Sequence, residues 1–173
     1  MTAAAGGGDD GHGPRAPVAV AGAAALAACH LRDQHEELAV VLADLVDPSN
    51  PRRCSASAVT LAAVELSAVA LATVAARDGA APEDVVAGIA DSYAGLVGRE
   101  SPSALACYAA AMSAGGRADL ECRLVERCVA LHGEVATAVA AAFVLAAAWR
   151  YQARDEGCPP ERIAQRVAVA GAA

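Results

Sequence analysis

Apolar and polar positions in this chain recur at helical spacing, and the stops between them mark out six predicted helices. One long helix is expected from Pro17 to Val46, with Leu31, Leu38, Val41, Leu42 and Leu45 on one face of its second half. Asp47-Pro48 ends it, because proline disfavours helix at the residue before it. After loop 48–54, Ser55 or Ser57 can cap a helix over 57–77 that is apolar almost all round, with Glu65 its one internal charge. Asp78-Gly79 stops that helix, and Pro82-Glu83-Asp84 opens the next, whose expected inward side chains are Val85, Val86, Ile89, Tyr93 and Leu96. Ser101-Pro102-Ser103 starts a fourth helix that runs to about Leu131, bent or broken at Gly115-Gly116. The fifth, over 134–154, is again apolar nearly all round, and Pro159-Pro160-Glu161 opens a short sixth. No clean two-residue alternation marks a strand, so the expected fold class is all-α, a six-helix bundle.

The order of elements repeats. Cys29 and Cys107, Leu45-Val46 and Leu124-Val125, Thr60 and Thr137, Arg77-Asp78 and Arg154-Asp155, and Pro82-Glu83 and Pro160-Glu161 all pair at offsets of 77 to 79 residues. We read this as two pseudo-symmetric three-helix units, about 17–98 and 101–173, in one domain over 16–173. A Gly-rich tail over 1–15 is expected to be disordered. Two helices apolar all round need burial, and small side chains allow close approach, so 57–77 and 134–154 should form the central pair.

Composition strengthens the helical reading. Alanine, the best helix former, is the commonest residue and inflates a mean hydropathy of +0.37. A net charge of −7 argues against nucleic-acid binding, which needs a concentrated basic face. Six cysteines without a CxxC pair read as small buried apolar residues, which suits a reducing cytoplasm. The uncharged run 135–149 falls short of the roughly 20 residues that span a bilayer, and 56–76 carries Glu65, so no transmembrane span is expected. Leu26-Ala27-Ala28-Cys29 has the form of a lipobox, and lipidation at Cys29 with membrane anchoring is the alternative localisation. The acidic segment before it (Asp9, Asp10) and the amphipathic helix straight after it favour a structural cysteine.

Three groups of residues could carry chemistry or contacts. His30, Asp33 and Glu37 follow i, i+3, i+7 spacing on one helical face, and could bind a divalent metal or serve as an acid–base pair; a solvated face is the simpler reading. Glu65, in an apolar helix, needs a partner such as Arg123 or Arg127 if buried, or else forms a polar point in a ligand cavity. Trp149, Arg150, Tyr151 and Arg154 form an aromatic and basic cluster of the kind enriched at interface hot spots. Phosphate-loop, dinucleotide, zinc-protease and nucleophile-elbow motifs are all missing. The expectation is a non-enzymatic, cofactor-free protein-interaction or regulatory protein with a protein partner or a homodimer. The alternative is a small-molecule binder with a cavity between the repeats and Glu65 as its anchor.

Overall fold

The computed structural model describes residues 16–51 and 53–171; the tail over 1–15 lies outside them. Among the described residues the fold is all-α, with eight helices: α1 (Pro17–Leu31), α2 (His35–Val46), α3 (Ala56–Asp78), α4 (Pro82–Val97), α5 (Pro102–Ala114), α6 (Ala118–His132), α7 (Glu134–Glu156) and α8 (Pro160–Gly171). Six were expected, and the difference lies at two breaks. At the first, Arg32 N–H bonds to Ala28 O and Gln34 N–H to Cys29 O, with Asp33 in the left-handed region at φ 56°. At the second, Gly115 N–H bonds to Ala111 O and Arg117 N–H to Met112 O, with Gly116 at φ 68°. A left-handed residue closes a helix by turning the chain back on its last carbonyls. Glycine announces this in sequence; aspartate, which tolerates the same conformation, does not.

The helices α3 and α7 form the most extensive packed pair. They run parallel: Ser55 and Ala56 at the start of α3 share a surface pocket with Glu134, and Arg77 at its end forms an ion pair with Asp155. Arg77 also donates to the Asp155 carbonyl at 2.8 Å, which places a cation at the negative ends of two helix dipoles. Flanking this pair, α1 and α5 each touch both of its members. Outside them, α2 and α8 pack on α1, while α4 and α6 pack on α5.

Small side chains make this arrangement possible. The centre is filled by residues such as Val59, Ala63, Val64, Ala138, Ala141, Ala142 and Leu145, all buried. Buried hydroxyls bond back along their own helices, Thr60 to Ala56 O at 2.9 Å, Ser67 to Ala63 O at 2.7 Å and Thr137 to Gly133 O at 2.8 Å. Gly22 gives the closest approach: a Cβ there would stand 3.0 and 3.1 Å from the δ-carbons of Leu45. Ser55 and Ser101 cap α3 and α5 by accepting from Ala58 and Ala104 N–H. By length and composition α3 and α7 are each apolar enough to cross a membrane, α7 included because the helix extends beyond the run 135–149. About half of each helix's most apolar stretch is buried against the rest of the fold (56% and 50%).

Candidate interaction face

His30, Asp33 and Glu37 do not share one helical face. The break at Arg32–Gln34 separates His30, the penultimate residue of α1, from Glu37 on α2, and Asp33 sits in the turn itself. His30 turns to α7 instead, its Nε2 3.2 Å from the Val139 carbonyl, which requires the proton on that nitrogen. Its ring meets Phe143 edge-on at 5.6 Å and lies 6.3 Å from His35. Burial pushes the His30 pKa down, the Val139 bond opposing this only in part. Among the described residues, no three His, Cys, Asp or Glu side chains group as a metal set.

The aromatic and basic cluster divides. Trp149 is 1% exposed and belongs to the core, because α7 is apolar on the faces it turns to α1, α3 and α5. Tyr151 is 52% exposed, and Arg150 and Arg154 are exposed beside it. Arg150 donates to His30 O at 3.1 Å, capping the end of α1. Glu65 is half-buried, and Arg127, one of its expected partners, grips Glu100 through two hydrogen bonds of 3.1 and 2.7 Å.

Tyr151 stands at the rim of an apolar pocket of about 70 Å³ between α4 and α7, floored by α3 and α5. Leu71, Val86 and Cys107 line its depth, and Ile89, Tyr93, Phe143 and Tyr151 its walls. The wall reaches open surface at Phe143, which is 36% exposed; near the end of α4, Leu96 is 83% exposed, although helical spacing had assigned it inward. Tyr93 and Phe143 meet at 6.3 Å across the gap. Sequence reasoning did not single out Phe143. Its signal was available: it lies seven residues before Arg150, on the same helical face.

Nucleophilic chemistry finds little here. Burial pushes the Cys107 thiol up to about 11, and it likewise raises Cys29, Cys54 and Cys128. A thiol so raised is a poor nucleophile at neutral pH. On the far side of α4, Tyr108 donates to Asp91 at 2.6 Å, which raises the phenol pKa. What the face offers is shape, apolar surface and two arginines. The chain matches no protein-family model, no curated protein and no solved structure.

Proposed function

We propose that this chain is a non-enzymatic helical interaction protein that docks another protein chain on its α4–α7 face. The observation that carries the reading is the open apolar pocket, with Phe143 and Tyr151 at its rim and Arg150 and Arg154 alongside. Its volume favours a protein side chain over a small molecule at this face. Small-molecule sites run to roughly 300–1,000 Å³, whereas about 70 Å³ accommodates a single apolar side chain. Glu65 does not line it, so the polar anchor a small-molecule site would use is missing there. A cytoplasmic location fits six free cysteines, and Cys29, 7% exposed within α1, favours a packing role over lipidation. A photo-crosslinking residue at position 151, expressed in the native cell, tests the reading, with exposed Leu131 on α6 as the control position. A protein adduct at 151 and none at 131 is expected; no adduct at 151 refutes it.

Two copies of a four-helix unit, α1–α4 and α5–α8, best account for the architecture. The hydrogen bonds at the two helix breaks correspond at an offset of 83 residues, from Arg32/Gly115 and Gln34/Arg117 to Leu38/Glu121. Burial in α3 and α7 corresponds at 78: Val59/Thr137, Ala63/Ala141, Ala70/Ala148, Leu71/Trp149 and Ala75/Ala153 are all buried. The two offsets differ because the first unit has a loop over 47–55 where the second has only Gly133, partly offset by a longer α6. Packing follows the same exchange, with α1 on α8 and α5 on α4. This register replaces the uniform offset of 77 to 79 and sets Cys107 opposite Ala24 rather than Cys29. The α4–α7 pocket lies where the two units differ. Leu71 lines the pocket where the sister position carries the much larger Trp149.

A further inference from the structure

We draw no further inference here: the strongest candidate, the open apolar face between α4 and α7 with Phe143 and Tyr151 at its rim, belongs to the site already described, and nothing in the structure shows which chain covers it.

Discussion

Trp149→Ala measures how much of the fold's stability rests on one side chain. Trp149 is the only tryptophan, it is 1% exposed, and it sits on the central helix of a core otherwise made mostly of alanine and valine. Truncating a buried tryptophan costs about 3–5 kcal/mol, the upper values applying where neighbours cannot close the cavity. Here they cannot close it easily. Alanine side chains have no rotamers with which to fill space, and α7 is held on three sides by α1, α3 and α5. We therefore expect a loss of about 4 kcal/mol, and for a chain of this size a melting temperature lower by roughly 8–16 °C. Tyr151→Ala, two residues along on the exposed face, should cost less than about 1 kcal/mol. Thermal melts by circular dichroism, run at one low protein concentration so that lost association does not add to the shift, compare the two. Equal losses from both substitutions, or a Trp149→Ala melt within about 2 °C of wild type, would refute the assignment of Trp149 to the core. Emission from this single tryptophan gives an independent check, and it should be blue-shifted in the native protein.

Close approach at Gly22 gives a graded prediction. Gly22→Ala is near neutral, because about 1 kcal/mol of helix propensity offsets the crowding of Leu45, whereas Gly22→Leu costs about 1–3 kcal/mol by forcing α1 from α2 and α3; urea midpoints read both. His30 has a folded pKa below its unfolded value of about 6.5, so its contribution is full above that pH and is lost as pH falls through it towards the lower folded value. The drop in stability between about pH 7.5 and about pH 5.5 should accordingly be smaller in His30→Gln than in wild type. Leu71→Trp fills the α4–α7 pocket as Trp149 fills its sister position. It should keep the fold, leave the melting temperature within about 4 °C of wild type, and abolish the position-151 adduct; an adduct of unchanged yield would show that the pocket plays no part in docking.

Helix type and the central pair were legible because proline, serine and glycine mark their ends plainly: Ser55 and Gly79 bound α3, and Gly133 and Gly157 bound α7. The break in the first long helix was not legible. Asp33 lies among strong helix formers, and its left-handed turn depends on carbonyls at Ala28, Cys29 and His30 rather than on a glycine. That one turn also undid the His30–Asp33–Glu37 face, whose spacing assumed a continuous helix. Trp149 was misplaced for a different reason. Adjacent residues on a helix point about 100° apart, so Trp149 cannot share the face that Arg150, Arg154 and Phe143 occupy. Periodicity put Leu96 on the inward stripe of α4, yet that stripe runs past the end of the surface it packs on, which no local pattern records.

The claim on which the account depends most is that the α4–α7 face is the one this protein closes against a partner. Amide hydrogen exchange, followed by mass spectrometry on the intact chain alone and on the chain recovered with its bound partner from the native cell, reads that face directly. Exchange is expected to slow in peptides covering residues 85–97 and 139–151 in the recovered complex, and to stay constant over α6 and α8. Protection that appears on α6 or α8, or none between residues 85–97 and 139–151, would contradict it.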